Sequence, residues 1–336
     1  MKKFKWILAA IVAGLAIYGA TKDLIKVSNT DFKSVSYNDW LRVDGNKIVN
    51  RRGEEVQFTG ISTHGIQWFS ELYTKENIET LKKDMGINIF RIAMYTNPDD
   101  NGYVGNNNLK EKVYELIDIC VGLDMYVVVD WHILNDNKPT IYQEEARGFF
   151  SELSAKYKDT PNVIYEICNE PNGDAEWERD VKGYAEDIIS TIRDNSPKSL
   201  VIVGTPRWSR EMVNVANSPL AFENIAYAIH FYAGSDNITL RDKIDNFRDQ
   251  GFAVFVSECG TTDATGDGEV YEDAFKRWTD YLADRKISWI NWSFSNKDEG
   301  SALLKPEYTV GDNLMDYLSE SGQLLKRTLK PETENK

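Results

Sequence analysis

Two glutamates at the ends of apolar segments are the residues of this chain best suited to chemistry. Glu170 ends the apolar run 162–170 and is followed by Pro171, and Glu258 ends a second apolar run, 252–258. An apolar run that stops at a polar residue is typical of a buried parallel strand that delivers its last side chain to the rim of a barrel. Proline ends such a strand. Two carboxylates carried by two strand ends are what acid/base hydrolysis of a glycosidic bond requires.

The two carboxyl groups need opposite protonation states for that chemistry. One must carry a proton for the departing oxygen, and the other must be ionised to attack carbon. Donors such as Arg91, Asn169 and Tyr232 favour the ionised form of a neighbouring carboxylate, whereas apolar or anion-rich surroundings retain the proton. These residue types do not decide which glutamate has which role.

Short apolar runs alternate with segments of helical periodicity, and these elements must position the glutamates. Helical periodicity with charged outer faces is present in 77–85, 109–123 and 177–194. Strands that alternate with helices predict a parallel sheet of the α/β class, most simply a single closed (β/α)₈ TIM barrel. The predicted strands are 56–62, 87–94, 125–132, 162–170, 200–205, 225–232, 252–258 and 287–294.

A β-hairpin is predicted before the first of these strands. Residues 43–56 contain turn-forming glycines at Gly45 and Gly53, so this N-terminal hairpin is expected to close the bottom of the barrel. The alternative fold is a doubly wound open sheet, which usually needs a GxGxxG phosphate turn after its first strand. Residues 60–65 do not have that pattern, which favours the barrel.

Polar side chains collect at the predicted strand ends, where a barrel forms its active site. All three histidines, His64, His132 and His230, lie at or just after such an end. Three histidines can bind zinc, but the sequence has neither HxH nor HExxH spacing. It also has no GxSxG turn of a serine hydrolase. We therefore predict two-carboxylate chemistry with no metal and no cofactor. The other residues at strand ends are Arg91, Tyr95, Asp130, Trp131, Asn169, Thr205, Phe231, Tyr232, Asn291 and Trp292.

The net charge and the cysteine content exclude several kinds of partner and site. The net charge of −14 over 336 residues argues against nucleic acid and anionic membrane surfaces as partners. The three cysteines, Cys120, Cys168 and Cys259, have no CxxC spacing, so neither a disulfide framework nor a zinc site is expected. A single bridge between Cys168 and Cys259 is conceivable, but buried free thiols are favoured.

The N-terminus has the pattern of a targeting segment. Lys2, Lys3 and Lys5 precede an apolar run, 6–20, as in a secretory signal peptide; an uncleaved anchor at the outer face of the cytoplasmic membrane is the alternative. The predicted organisation is a signal peptide or anchor at 1–20, a leader at 21–40, a catalytic domain at 41–325 and a polar tail at 326–336. The charged residues from 320 onward are expected to fray.

Seven segments in order resemble glycoside hydrolase family 5, and in particular its secreted bacterial endo-β-1,4-glucanases. These segments are 64–68, 90–95, 130–134, 163–173, 228–234, 255–258 and 291–299, and the resemblance covers about residues 40–325. It implies a retaining mechanism in which Glu170 is the acid/base and Glu258 the nucleophile. It also implies that Asn169 holds the sugar 2-hydroxyl and that Arg91 and Tyr232 surround the nucleophile. His132 and His230 are expected to form the polar wall near the scissile sugar.

The resemblance also implies which residues bind the sugar chain. Aromatic faces bind the apolar C–H faces of sugars, and charged side chains meet hydroxyls. Trp292 could instead be a core tryptophan, and Lys297 and Glu299 could be a solvated charge run. Trp177 has no implied role at the site and is expected to pack a helix. The implied substrate-binding residues are His64, Trp68, Phe69, Tyr95, His132, Trp208, Tyr232, Ala264, Thr265, Trp292, Lys297, Asp298 and Glu299.

The expected partner is a β-1,4-glucan such as cellulose. No nucleic acid and no protein partner are expected, and the protein is expected to be a monomer.

The sequence departs from the family pattern at Cys259, which follows the nucleophile where close relatives usually carry tryptophan. Loss of a large ring there is expected to widen or repack the site. Mixed-linkage β-glucan, xyloglucan and mannan therefore stay open as preferred substrates, and a catalytically silent carbohydrate-binding cell-wall protein is the rival from another class.

Overall fold

A computed structural model describes residues 33–330. Eight parallel strands close into a barrel in the order β10-β3-β4-β5-β6-β7-β8-β9, which confirms the predicted (β/α)₈ architecture. The strands are β1 Arg42–Asp44, β2 Lys47–Val49, β3 Thr59–Thr63, β4 Ile89–Tyr95, β5 Tyr126–His132, β6 Val163–Glu166, β7 Val201–Val203, β8 Ile225–Tyr232, β9 Val254–Gly260 and β10 Trp289–Phe294.

Helices surround the barrel and follow the predicted periodic segments. The α-helices are α1 Val35–Asn38, α2 Lys75–Thr80, α3 Leu109–Gly122, α4 Gln143–Lys156, α5 Lys182–Asn195, α6 Val213–Asn217, α7 Ile238–Asp249, α8 Glu272–Asp284 and α9 Glu320–Leu329. Wide π-turns join the ends of two of them, at Leu81–Met85 after α2 and at Trp177–Val181 before α5. Trp177 is buried there and donates to the carbonyl of Ser218, as a helix-packing residue does.

The barrel interior and the layer outside it are separate apolar regions, because side chains alternate along each strand. In β5, Tyr126 and Val128 belong to the interior cluster, while Val127, Val129 and Trp131 belong to the layer between barrel and helices. The same alternation turns Asp130 and His132 inward. A sequence pattern of period two therefore carries polar groups from the apolar base of the barrel to its open end.

The antiparallel hairpin β1–β2 closes the base of the barrel, as predicted. Arg42 pairs with Val49, and Ile48 packs in one cluster with Phe58, Ile89 and Ile164 near the starts of barrel strands. The three cysteines are buried free thiols, so the conceivable Cys168–Cys259 bridge is absent. Cys259 packs in the layer between barrel and helices and does not line the cleft.

Strand β9 contains a bulge that the sequence did not predict. Ala228 pairs with Phe255 and His230 pairs with Glu258, so two steps along β8 correspond to three along β9. The pairing with β10 shows the same shift, from Trp289↔Val256 to Asn291↔Cys259. A bulge of this kind breaks the alternation of side chains. Ser257 and Glu258, although adjacent, therefore both contact residues of the barrel interior.

The expected fraying from residue 320 is wrong. Ser319 caps α9 by accepting from the amide of Gly322, and Leu324 and Leu325 are buried. The charges occupy one face of the helix, while the leucines on the other face contribute to the core. Ordered structure thus extends beyond the predicted domain end at 325.

The predicted signal or anchor at 1–20, the first part of the leader and residues 331–336 lie outside the described residues. Among the helices that are described, none is both long and apolar enough to span a bilayer.

Replacing Leu325 tests whether α9 belongs to the folded domain. Leu325→Ala removes a fully buried side chain and should lower the free energy of unfolding by about 2–5 kcal/mol. Arg327→Ala in the same helix breaks only an exposed ion pair with Glu272 and should cost less than about 1 kcal/mol. Urea unfolding measures both. Equal effects of the two variants would show that α9 contributes no core.

Candidate active site

A cleft of about 660 Å³ opens at the C-terminal ends of the barrel strands. Both predicted catalytic glutamates reach it, Glu170 from the segment after β6 and Glu258 from the end of β9. The other predicted site residues that line it are His64, Trp68, Tyr95, His132, Trp208, Tyr232, Ala264, Thr265, Trp292, Lys297 and Glu299.

Five predicted site residues are not part of the cleft wall. Arg91, Asn169 and His230 are buried beneath it and act on the residues that line it. Phe69 packs against the ring of His64 from behind, at 5.2 Å between centroids. Asp298 is exposed to solvent and does not line the cleft, so its predicted sugar contact has no support in this geometry.

Glu258 is held by two donors. Its Oε1 accepts from the Tyr232 hydroxyl at 2.9 Å, and its Oε2 accepts from Arg91 at 3.1 Å. Burial and then the charge of Glu170 raise the pKa of Glu258, while Arg91 opposes the rise. Both hydrogen bonds stabilise the ionised carboxylate. Asn169, which was predicted to contribute a donor, instead gives its amide group to the Ile133 carbonyl and to His132.

Glu170 is paired with a histidine. Its Oε1 lies 2.8 Å from Nδ1 of His230. Burial would raise the pKa of Glu170, but the contact with His230 lowers it below its usual range. Burial would likewise lower the pKa of His230, but its contacts with Glu166 and Glu170 raise it to about 9. One proton in a 2.8 Å contact between two such bases belongs to the pair rather than to either group.

Arg91 is the buried cation on which this arrangement depends. It is fully buried and contacts Glu166 at 2.7 Å, Asp130 at 2.9 Å and Glu258 at 3.1 Å. It also donates to the side-chain oxygen of Asn169 at 2.7 Å. Although burial raises the pKa of Glu166, Arg91 and then His230 more than offset this and bring it to about 2.

His132 is a neutral member of the wall. Burial, followed by the charge of Arg91, lowers its pKa to about 4. Its Nδ1 lies 2.6 Å from Asp130 Oδ2, so the ring donates from Nδ1 and leaves Nε2 to accept from Asn169. This tautomer fixes the ring orientation next to Tyr95 and Trp292, at 4.2 and 5.3 Å between centroids.

Two tryptophans at the cleft are more exposed than a core residue would be. Trp68 is 39% and Trp208 47% exposed. Trp68 follows β3 and Trp208 follows β7, and these strands are four positions apart in the ring of eight. The two indoles therefore belong to opposite sides of the rim. Trp292 is only 7% exposed but lines the cleft, so it is both packed and accessible.

The Trp208 turn has an unusual backbone. Arg207, Trp208 and Ser209 all have positive φ, at 61°, 56° and 53°, a region that non-glycine residues rarely adopt. Trp208 donates its amide to the Pro171 carbonyl, and the Ser209 hydroxyl donates to the Asn169 carbonyl at 2.6 Å. The turn is thus fastened to the segment that carries Glu170. Strain held by such contacts is often associated with a functional site.

Glu299 is more buried than a member of a solvated charge run would be, whereas Lys297 is half exposed. Lys297 contacts Glu299 at 2.5 Å, and the Glu299 side chain is only 7% exposed. His64 lies 3.9 Å from Glu299, and burial, followed by Lys297, lowers its pKa to about 3. Neutral His64 accepts from the Gly65 amide at Nδ1 and so keeps its Nε2–H toward Glu299.

Several residues of the site were not predicted. Asp100, Leu134, Asn135, Arg210 and Gly266 also line the cleft. Beneath it, Glu166 and Ser257 join Asp130 in the buried polar network. A glutamate inside the apolar run Val163–Ile167 was a usable signal for Glu166, since an ionised group in a core strand needs a partner. The role of Ser257 depends on the β9 bulge and had no sequence signal.

Ligand atoms of Glu170, His230 and Glu258 lie within 4.8 Å of one another, a spacing that a divalent ion could bridge. These side chains already have protein partners: Glu170 and His230 contact each other, and Glu258 accepts from Arg91 and Tyr232. The donor set is therefore satisfied by protein groups. The absence of a metal requirement stays a prediction.

Comparison with known proteins places this arrangement in context. The model of the family Cellulase (glycosyl hydrolase family 5) matches residues 49–298. A curated endoglucanase from Clostridium saccharobutylicum is 39% identical over 98% of this chain and 72% of its own length. Endoglucanase A from Evansella cellulosilytica is 45% identical over 83% of this chain and 57% of its own length. The chain thus spans little more than half of some curated relatives.

Solved structures agree with these similarities. The cellulase Cel5C_n superposes with a TM-score of 0.85 at 43% identity, covering 88% of this chain and 93% of that one. The catalytic domain of a Thermobifida fusca endoglucanase, solved in complex with cellotetraose, has a TM-score of 0.83 at 34% identity and covers 88% and 98% of the two chains.

Gly260 is expected to control the hydrogen bond between Tyr232 and Glu258. A Cβ at position 260 would lie 2.2 Å from the Tyr232 ring, so Gly260→Ala must displace that ring and remove a donor from Glu258. The pKa of Glu258 should then rise, and the acidic limb of the pH–activity profile should move up accordingly. Crystallography and kinetics measure both effects.

Gly183→Ala is the matched control, because a Cβ at 183 meets nothing within 4 Å. It should leave the profile unchanged. An unmoved acidic limb in Gly260→Ala, with the Tyr232 ring displaced, would show that this hydrogen bond does not tune Glu258.

Proposed function

The chain belongs to glycoside hydrolase family 5, and from this premise we propose that it is a retaining endo-β-1,4-glucanase. The observation that carries the proposal is the spacing of the two carboxylates, whose nearest oxygens lie within 4.8 Å. Retaining glycosidases place the two groups about 5–5.5 Å apart, whereas inverting enzymes leave about 6.5–9.5 Å for a water molecule.

The proposal gives each glutamate its own role, which the hydrogen bonds around it support. Glu258, held ionised by Arg91 and Tyr232, attacks the anomeric carbon and forms the glycosyl-enzyme. Glu170, which shares a proton with His230, protonates the departing oxygen. Glu170 then takes a proton from water, and that water releases the sugar from Glu258. The proton shared with His230 is the supply for the first step.

The substrate class follows from the shape of the rim. The exposed indoles Trp68 and Trp208 lie on opposite sides of the barrel, after β3 and β7. A chain of sugars bound on both passes over Glu170 and Glu258, with residues on both sides of the cleaved bond. This arrangement supports cleavage within a glucan chain, and the names of the endoglucanase relatives support β-1,4-glucan as the substrate.

Export of the protein is a further part of the proposal. Its support is the basic and apolar pattern of residues 2–20, which is typical of a signal peptide. N-terminal sequencing of protein from the culture medium should find a start after this segment. An intact N-terminus in the membrane fraction would indicate an anchor instead, and accumulation in the cytoplasm would contradict export.

The enzyme is also proposed to act as a monomer without a cofactor. A single chain supplies both carboxylates and the cation between them. Light scattering should give a molar mass no greater than the 38.4 kDa of the full chain. Activity should survive exhaustive dialysis against a chelator. A dimer mass or loss of activity would contradict the respective statement.

A covalent trap tests the reaction directly. A 2-fluoro β-cellobioside with a dinitrophenyl leaving group should inactivate the enzyme in a time-dependent manner, because the fluorine slows release of the glycosyl-enzyme more than its formation. Peptide mass mapping should find the label on Glu258. A label on another residue would contradict the nucleophile assignment, and turnover without any covalent species would contradict retention.

Charge-neutral substitutions separate the two glutamates. Glu170→Gln should lower kcat on a soluble cellulose derivative by about 10²–10⁴-fold but spare glycosyl-enzyme formation from a dinitrophenyl cellobioside, whose leaving group needs no proton. Glu258→Gln should abolish both reactions. The exposed Glu152→Gln on α4 is the matched control and should change neither.

Rates on barley β-glucan, xyloglucan and mannan complete the test of substrate class. A higher kcat/KM on one of these than on the cellulose derivative would reassign the preferred substrate. Binding of cello-oligosaccharides without release of reducing ends would identify a carbohydrate-binding protein and refute the enzyme.

A further inference from the structure

A chain of hydrogen bonds leads from Glu170 to the interior of the barrel. Glu170 contacts Nδ1 of His230, and Nε2 of the same ring lies 3.0 Å from the Ser257 hydroxyl. Ser257 donates to Glu166 Oε1 at 2.5 Å, and Glu166 Oε2 accepts from Arg91 at 2.7 Å. All five side chains are buried, so protein groups rather than solvent decide the direction of each bond.

The direction of every bond in this chain can be assigned. Glu166 is bound to the Arg91 cation and is ionised, with a pKa of about 2, so it can only accept. Ser257 must therefore give its single proton to Glu166. Its remaining lone pairs accept, which makes Nε2 of His230 the donor. His230 is thus committed to the Nε2–H form in every protonation state that keeps this chain intact.

This commitment leaves the other ring nitrogen without a proton of its own. A neutral His230 that carries its proton on Nε2 presents a lone pair at Nδ1, 2.8 Å from Glu170 Oε1. If Glu170 were ionised at the same time, two acceptors would face each other in a buried contact, which costs about 1–3 kcal/mol. The contact is satisfied only while one further proton lies between Nδ1 and Glu170.

We propose that Ser257 and Glu166 are positioning residues that hold His230 in its Nε2–H tautomer and thereby keep the acid proton at Glu170. The inference rests on the proposed function, because it assigns Glu170 as the proton donor. Neither residue touches the substrate. Ser257 can take this position because the β9 bulge turns it inward beside Glu258, so one irregularity of the backbone places both the nucleophile and the support of the acid.

The same proton affects the nucleophile. While it lies on Glu170, that carboxyl is neutral, and the negative charge that helps to raise the pKa of Glu258 is absent. The charged and titratable groups that act on the Glu170–His230 pair are Tyr95, Asp130, His132, Glu166, Arg210, Tyr232 and Glu258. Ser257 is neutral, so replacing it changes the tautomer without changing the charge of the site.

The predicted effect of Ser257→Ala has a definite sign. Without the Ser257 oxygen, Nε2 has no hydrogen-bond acceptor among the described residues, since Glu166 Oε1 is 3.8 Å away. A neutral ring can then carry its proton on Nδ1 and donate it to ionised Glu170. The proton between Nδ1 and Glu170 then dissociates more easily. The protonated form that catalysis needs is therefore lost at a lower pH.

The experiment measures the alkaline limb of kcat/KM for two substrates. With a soluble cello-oligosaccharide, Ser257→Ala should move this limb down by about one pH unit. At pH values above the limb, kcat/KM should fall roughly tenfold, and at lower pH it should change little. With dinitrophenyl β-cellobioside, whose leaving group needs no acid, the variant and the wild type should have the same pH profile of kcat/KM. The buried Ser154→Ala on α4 is the matched control and should leave both profiles unchanged, and Ser257→Thr should restore the wild-type limb.

Nitrogen-15 NMR of the histidines tests the tautomer without any variant, since the chain has only three of them. Above the pKa of the pair, His230 should carry its proton on Nε2, while His132 should carry its proton on Nδ1. An Nδ1–H His230 in the wild type, an unmoved limb in Ser257→Ala, or equal shifts with both substrates would overturn the inference. A wild-type enzyme that released neither reducing ends nor dinitrophenol would instead refute the proposed function.

Discussion

The buried guanidinium of Arg91 is the interaction on which the catalytic centre depends. It contacts the carboxylates of Asp130, Glu166 and Glu258 in the barrel interior. Buried carboxyl groups this close together repel one another when they ionise, and a cation between them offsets that repulsion, so removing the cation is strongly destabilising. Each of the three carboxyl groups has a different second contact. Asp130 orients His132, Glu166 orients Ser257, and Glu258 faces the cleft.

Two glutamates of one type acquire different properties because their partners differ. Glu258 receives a permanent cation and a phenol hydroxyl, which stabilise its charge. Glu170 contacts Nδ1 of His230, whose Nε2 already donates to Ser257. The contact between Nδ1 and Glu170 therefore retains a proton. The difference is one of hydrogen-bond direction, and it persists although both carboxyl groups are buried to a similar extent.

The two ends of the barrel have different roles. The base is closed by the β1–β2 hairpin and filled with apolar side chains such as Ile48 and Phe58, which supply stability. The rim carries the strained Trp208 turn and the exposed indoles, which bury less apolar surface than core residues and are available to a ligand. This division allows polar and strained groups at the rim, because packing elsewhere offsets their cost.

The sequence by itself determined the strands, most of the helices and the residues at the strand ends, because period-two and helical patterns of hydrophobicity are local properties of the chain. Family motifs added roles for Glu170 and Glu258. The fraying expected after residue 320 was wrong because the leucines of α9 find a core that local charge does not reveal. Only the tertiary structure decided the β9 bulge, which turns Ser257 and Glu258 inward together, and the hydrogen-bond directions that follow from it. These depend on pairing between strands far apart in sequence, and no local pattern encodes which lone pair will face which proton.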